Sequence, residues 1–388
     1  MLDLVAFRIC IDARKIADFG IGSYVRNLVT SLAEIDPDNH YQLLVGEADR
    51  ALLGGLPENF QTTIDASPGY SLREQISISR HLLELRPDLF HSPHYVLPSR
   101  LPCPTVVTIH DVIHLLYPQF LPNRIASYYA RFMIRRSLLR GQRVVAVSET
   151  TRNDLQTLFP KIANHIAVVR NGVDPIFHRL PTTAELDDCL SRLGVALPYL
   201  LFVGNPKPHK NLEGLLRAYA AAITTSDIEE NLTCVGDRGN HSDELRRLCS
   251  TLEIGDRVQL IGHVSRSDLA CLYRAASLLL FPSLYEGFGL PVVEAMASAT
   301  PVLASDVPAV REVAGNAADF FDPNDVDTMK TALLRLLGDP ERQAELVTRG
   351  LERAREFSWQ QCARQTLAIY RSAVEEASET RGRYHGSN

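Results

Sequence analysis

Apolar and polar positions along the chain follow two alternating rhythms. Short runs dense in Val, Ile, Leu and Phe stand at 7–12 (FRICID), 40–45 (HYQLLV), 88–92 (DLFHS), 104–110 (PTVVTIH), 142–148 (QRVVAVS) and 165–170 (HIAVVR). Six more stand at 198–204 (PYLLFVG), 231–236 (NLTCVG), 257–262 (RVQLIG), 277–283 (SLLLFPS), 300–305 (TPVLAS) and 318–322 (ADFFD). Several are almost continuously apolar, as strands are when both faces of a parallel sheet are covered. Between them the period lengthens to that of helices, at about 20–35, 70–85, 122–140 and 148–158 and again through the second half. Alternation of this kind predicts an α/β fold, with parallel sheets and helices on both faces. A single twisted sheet rarely exceeds ~10 strands, so the pattern predicts two doubly wound sheets.

The seam is expected within residues 171–185, NGVDPIFHRLPTTAE, where Asn-Gly, two prolines and small polar residues mark a linker. Residues 358–380 read as an amphipathic helix, and the tail GRYHGSN as disordered. The chain has 388 residues, with 45% hydrophobic and 22% charged, which fits a globular protein and excludes a disordered one. It has no apolar run of ~18 residues, so no membrane span is expected, and its first ten residues do not read as a secretory signal. The seven cysteines are scattered without a C-x-x-C, which suggests reduced thiols in a cytoplasmic protein, with neither disulfides nor a zinc framework. Net charge of −6 argues against nucleic-acid binding. Residues 1–180 carry 19 Lys and Arg against 17 Asp and Glu, whereas residues 181–388 carry 21 against 29.

In doubly wound sheets ligands bind beyond the carboxyl ends of the strands, so the residues directly after strands carry the chemistry. After PYLLFVG, Lys210 stands at the opening of a helix, where free N–H groups and the helix dipole favour phosphate. A lysine there either holds a diphosphate or is simply solvated. After SLLLFPS come Glu286, then Gly287-Phe288-Gly289, then a helix opening near Leu290-Pro291 with Glu294 in about its first turn. Glycines let backbone N–H groups approach a ligand, and a carboxylate at Glu294 can accept both hydroxyls of a ribose diol. The plainer alternative is a turn followed by a helix-dipole partner. In the first half Gly20 and Gly22 form a glycine turn before a helix, and His110 ends a strand, followed by Asp111 and His114. No G-x-G-x-x-G follows any strand, which disfavours a dinucleotide enzyme. His110, Asp111 and His114 lack a further ligand nearby, so no metal site is expected.

These residues lie in FGIGSYVRNL, VTIHDVIHLLYP, VVAVSETTRNDL, VVRNGVDPIFH, LFVGNPKPHKNLEGLLRAY and FPSLYEGFGLPVVEAMASATPVLASDVPAVREVAGNAADFFDP. Together, over about residues 8–375, they resemble a family 4 glycosyltransferase of the GT-B fold. The resemblance implies two Rossmann-like domains facing a cleft, at 1–178 on the acceptor side and 179–360 on the donor side, with the helix of 361–388 crossing back to the first. It implies retaining transfer of a sugar from a nucleotide diphosphate sugar to a saccharide or lipid-linked acceptor, with no cofactor and no metal. By the same resemblance Lys210 holds the diphosphate, Glu294 the ribose and Glu286 the donor sugar. Backbone amides of Gly287, Phe288, Gly289 and Leu290 line the sugar and phosphates, and His263 and Val264 contact the base. His110 touches the transferred sugar near its 6-hydroxyl, and Gly20 and Gly22 let a loop close over the diphosphate.

Two positions depart from the family pattern. Asn205 stands where an arginine is common, leaving Lys207, Arg14 or a helix N-terminus to supply that charge, and Ala299 stands where a glycine is common. PKPHKNL and VAVSETTRNDL are similar to bacterial mannosyltransferases of polysaccharide assembly, which favours GDP-mannose over UDP-glucose, UDP-galactose or another donor. A nucleotide-sugar epimerase of the same fold and a non-enzymatic scaffold are the competing readings. Finally, residues 123–143 hold Arg124, Arg131, Arg135, Arg136, Arg140 and Arg143, no acid, and Tyr128, Tyr129, Phe132 and Met133. Such a helix either packs on the sheet with solvated arginines or makes a peripheral contact with an anionic membrane.

Overall fold

A computed structural model describes residues 6–121, 123–163, 165–236 and 242–385. The chain divides into two compact units, residues 1–172 with 359–388, and residues 173–358. In the first unit the order is β1 (Arg8–Asp12), α1 (Gly20–Ile35), β2 (His40–Val45), β3 (Phe60–Ile64), α2 (Leu72–Leu85), β4 (Leu89–Ser92), β5 (Thr105–Ile109), α3 (Ile113–Leu116), α4 (Arg124–Arg140), β6 (Arg143–Ala146), α5 (Glu149–Leu158) and β7 (Ile166–Val168). These strands form one parallel sheet in the order β3-β2-β1-β4-β5-β6-β7. β3 adds a strand to the twelve expected. Its sequence FQTTI is polar and mostly half-exposed at the sheet edge, so it lacks the apolar density that marks its neighbours.

The second unit runs α6 (Thr183–Leu193), β8 (Tyr199–Val203), α7 (Leu212–Thr225), β9 (Asn231–Val235), α8 (Ser242–Thr251), β10 (Val258–Ile261), α9 (Arg266–Ala275), β11 (Leu278–Phe281), α10 (Leu290–Ala297), β12 (Val302–Ser305), α11 (Pro308–Ala314), β13 (Asp319–Phe321), α12 (Val326–Leu337) and α13 (Pro340–Ala354). Its parallel sheet has the order β10-β9-β8-β11-β12-β13. β8, β11 and β12 are buried on both faces. The core packs Leu200, Phe202, Leu280 and Leu303 against Leu215, Tyr219 and Leu333 of α7 and α12. α6 begins on a capping box in which Thr182 and Glu185 satisfy each other's backbone N–H groups.

The boundaries fall at 172/173 and 358/359, earlier than 178/179 and 360/361. Val173 and Phe177 are the reason. Val173 N–H donates to Phe357 O at 3.1 Å beside a parallel bridge between Val173 and Ser358. The Phe177 ring meets Tyr273 edge to face at 5.6 Å, and its carbonyl accepts from Ser298 Oγ at 3.2 Å. Residues 173–178 are therefore built into the second unit.

The last helix, α14 (Trp359–His385), packs on α1 in the first unit. It extends through 382–385 of the tail expected to be disordered, and 386–388 lie outside the described residues. Gly20 and Gly22 also differ from expectation: both lie inside the first turn of α1. Gly22 is needed for packing, since a Cβ there would come 2.4 Å from Ile16 O, whereas a Cβ at Gly20 would meet nothing within 4 Å.

Candidate active site

Lys210 and Glu286 meet because two strands distant in sequence are neighbours in the sheet. β8 and β11 flank the point where strand order reverses, and ligands of open parallel sheets bind beyond the carboxyl ends at that point. Lys210 closes a 3₁₀ turn, Pro208–Lys210, just ahead of α7. Its Nζ donates to Glu286 Oε1 at 2.5 Å, and both side chains are largely removed from solvent. The ammonium also stands 5.6 Å from the centre of the Phe281 ring. Further bonds staple the two loops together. Leu284 N–H donates to His209 O at 2.8 Å, and Asn211 Nδ2 donates to Pro282 O at 3.2 Å and Pro323 O at 2.8 Å. Asn211 does this from a left-handed backbone (φ 54°), which asparagine tolerates better than most residues.

The chain then turns sharply from Glu286 into α10. Gly289 has φ +104°, a region open to glycine, and Pro291 lies in the helix's first turn. Phe288 is buried edge to face against Phe357, ring centres 5.7 Å apart, which anchors the stretch Gly287–Leu290. Glu294 is the fifth residue of α10, just past its first turn, and is half-buried. Its Oε2 accepts from the Tyr273 hydroxyl at 2.9 Å. Burial pushes the Glu294 carboxyl up to about 7, against the opposing pull of the Tyr273 bond and the Arg266 charge. Arg266, the first residue of α9, is itself paired with Asp174.

The remaining residues expected on the donor side are more open. Asn205 is half-buried in the loop after β8, and Lys207 is exposed there. After β10, His263 is exposed and Val264 half-buried. Arg14 does not stand free to replace the missing arginine. It is held in the first unit by Asp12 at 2.7 Å, Glu74 at 2.8 Å and Asp65 at 3.4 Å.

In the first unit His110 follows β5. Its Nε2 lies 3.0 Å from Pro93 O, and since a carbonyl only accepts, Nε2 carries the proton. Burial lowers its pKa, so the neutral ring offers Nδ1 as an acceptor. Tyr24 packs edge to face on the ring at 4.8 Å, and the His110 carbonyl accepts from Thr151 Oγ1 at 3.2 Å. His114 is turned to Tyr95, with Nδ1 and the hydroxyl 2.9 Å apart. Among the described residues no group of three or more His, Cys, Asp or Glu is placed to hold a metal ion.

The sequence did not point to Tyr273, Asn211 or Tyr24, whose side chains meet Glu294, the loop carbonyls of Pro282 and Pro323, and the His110 ring. Tyr273 lies on a helix face of apolar residues, and the one signal was chemical: a buried tyrosine hydroxyl needs a partner.

Comparison with known proteins now identifies the class. Residues 193–353 match the family model of glycosyl transferases group 1, and residues 20–177 match that of glycosyltransferase family 4. The chain is 33% identical to the O-antigen chain mannosyltransferase B of Escherichia coli over 288 residues, 73% of this chain and 74% of that protein. It is 31% identical to the O-antigen chain mannosyltransferase RfbU of Salmonella typhimurium over 227 residues, 58% of this chain and 59% of that one. Among solved structures, sucrose-phosphate synthase from Thermosynechococcus elongatus is similar with a TM-score of 0.78 at 21% identity, over 95% of this chain and 100% of that one. Anabaena Alr3699/HepE in complex with UDP-glucose is similar with a TM-score of 0.76 at 18% identity, over 94% and 100%. Two Rossmann-like parallel-sheet domains carrying these matches define a GT-B hexosyltransferase. The chain belongs to glycosyltransferase family 4.

Proposed function

We propose that the protein moves a mannosyl group, with retention, from GDP-mannose to a hydroxyl of a saccharide or lipid-linked acceptor. The observation that carries this reading is the Lys210–Glu286 contact of 2.5 Å at the sheet's switch point. It places a cation and a carboxylate on one small spot, which suits a diphosphate beside a polyol. On donor binding the Lys210 ammonium moves from Glu286 to the diphosphate, and Glu286 turns to the sugar. Gly287–Leu290 presents backbone amides to the same oxygens, and His263 and Val264 flank the base. Glu294 takes the ribose diol. His110 offers Nδ1 to the sugar's 6-hydroxyl.

The acceptor oxygen bonds to the anomeric carbon as the carbon–oxygen bond to the diphosphate breaks. Charge grows on the departing oxygen, where Lys210 stabilises it. The acceptor's proton passes to that departing phosphate. No divalent cation is required, so EDTA should leave the rate nearly unchanged; loss of activity restored by added metal would overturn that step.

Mannose as the sugar rests on the two O-antigen mannosyltransferase relatives. A UDP-sugar donor is the second reading, favoured by the UDP-glucose complex of the similar Anabaena protein. A thermal-shift screen of GDP- and UDP-sugars separates the two. A ligand at ~100 times its Kd adds about 2.7 kcal/mol of stability, so the right nucleotide stands out. A shift with UDP-sugars alone removes GDP-mannose. NMR of the product's anomeric proton tests retention. A peripheral membrane contact through residues 123–143 belongs to the same proposal, because a lipid-linked acceptor lies at a bilayer surface.

A further inference from the structure

The first unit has a switch point of its own. Its strand order reverses between β1 and β4, and the loops that follow these two strands carry Lys15 and His94. Tyr70, from the connection between β3 and α2, joins them. Lys15 Nζ lies 3.5 Å from the Tyr70 hydroxyl and 4.6 Å from the centre of its ring, and His94 Nε2 lies 3.3 Å from the same hydroxyl. Tyr70 adopts φ 59°, a left-handed backbone that a bulky residue rarely takes and that costs stability. Its N–H donates to Glu74 Oε2 at 2.6 Å, and Arg14 holds Glu74 Oε1 at 2.8 Å. Asp12 and Asp65 hold Arg14 in turn, so this cluster mounts Tyr70 in its strained conformation.

The hydrogen bonds left over at this spot follow from those already made. Val96 N–H donates to His94 Nδ1 at 3.3 Å, and burial keeps the ring neutral, so its one proton is on Nε2 and goes to the Tyr70 hydroxyl. Lys15 donates to that oxygen as well. Both neighbours of the hydroxyl are donors, which leaves its own proton to give, and Tyr70 is 51% exposed. Lys15 has three N–H groups, of which one goes to Tyr70 and one to Asp18 Oδ2 at 3.3 Å, leaving a third. The exposed Asp18 carboxylate balances the ammonium and keeps Oδ1 as an acceptor. Two donors beside an acceptor, with the charge cancelled, suit adjacent hydroxyls of a neutral sugar, each of which both gives and takes a hydrogen bond. The group is also fixed to His110, whose Nε2 donates at 3.0 Å to the carbonyl of Pro93, the residue before His94. An acceptor sugar held there would lie beside the ring proposed to touch the transferred sugar.

We propose that Tyr70, Lys15 and Asp18 hold two neighbouring hydroxyls of a neutral acceptor sugar, with His94 orienting the Tyr70 hydroxyl. This rests on the transferase reading above and names the side chains that receive the acceptor. The test is saturation-transfer NMR of the full chain, with and without the nucleoside diphosphate selected by the thermal screen. The probes are the methyl glycosides of mannose, glucose, galactose and N-acetylglucosamine, with mannose 6-phosphate as the anionic control. The expected result is that at least one neutral glycoside binds. Tyr70→Phe should weaken its Kd about five-fold and Lys15→Met about ten-fold, with the urea midpoint and the nucleotide affinity at parent values. No binding of any glycoside, binding indifferent to both variants, or binding of the phosphate alone overturns the proposal. So does a loss of binding that accompanies a fallen midpoint, which would mark the two residues as structural. Calorimetry of the nucleoside diphosphate on the same preparation keeps the two readings apart: a chain that binds a glycoside through Tyr70 and no nucleotide sinks the transferase reading and spares this one.

Discussion

Glu294 is the residue whose environment says most. Its carboxyl is held near 7 by burial, well above the ~4.3 of an unfolded chain. Between those values the folded protein binds more protons than the unfolded one. The stability Glu294 gives is therefore full below about pH 4.3 and is lost as pH rises through about 7. Glu294→Gln should remove this slope. Above about pH 7 it should be more stable than the parent by about 1–3 kcal/mol, read from denaturant midpoints across pH; parallel curves for the two proteins would contradict the shifted carboxyl. The sequence put Glu294 beside a helix start and Lys210 at a phosphate-binding position. It could not put Lys210 on Glu286, because that contact spans 76 residues and exists only through the pairing of β8 with β11. Nor could it show that Arg14 is committed to three carboxylates, two of which arrive from the loop after β3 and from α2.

At the scale of elements, α10 is short and strained at its exit as well as special at its entry. Ala299 follows the helix with φ +59°, where a Cβ costs about 1–2 kcal/mol relative to glycine. Ala299→Gly should stabilise the fold by about 0.5–1 kcal/mol once the added chain entropy of glycine is counted, raising the urea midpoint at unchanged m. A lower midpoint would mean that the Ala299 methyl group packs well enough to offset the strain. The same logic explains which elements were legible. Strands buried on both faces announce themselves as apolar runs, and β8, β11 and β12 are of that kind. β3 does not, because an edge strand needs apolar residues on one face at most. The span of α4 was legible too, but not that its apolar residues divide into a buried and an exposed stripe, which depends on where the sheet lies.

Across the whole molecule the chain leaves the first unit at Gly172 and returns to it at Trp359. α14 is held there by a buried line of hydrogen bonds: the Tyr370 hydroxyl to His91 Nδ1 at 2.6 Å, His91 Nε2 to Thr108 Oγ1 at 2.9 Å, and Thr108 to the Tyr24 hydroxyl at 3.0 Å. Burial brings the His91 pKa down to about 3, so the ring is neutral at ordinary pH and one of its nitrogens needs Tyr370. Tyr370→Phe leaves that nitrogen unpaired and should cost about 1–3 kcal/mol in chemical denaturation; an unchanged midpoint would show the bond to be dispensable. The line ends at Tyr24, whose ring packs on His110, so the last helix and the proposed sugar contact share one buried network. The second half of the chain is the more acidic one, and it is where a polyanionic donor is proposed to bind. Binding there has to rest on Lys210, Glu294 and backbone amides, not on net charge. Calorimetric titration of the nucleoside diphosphate selected by the thermal screen tests this most directly, in the parent, Lys210→Ala and Glu294→Ala. Glu294→Ala should lose about 1.5–3 kcal/mol, a 10- to 150-fold weaker Kd, and Lys210→Ala should also weaken binding, with both proteins folded. Parent-like affinity in both variants would contradict it.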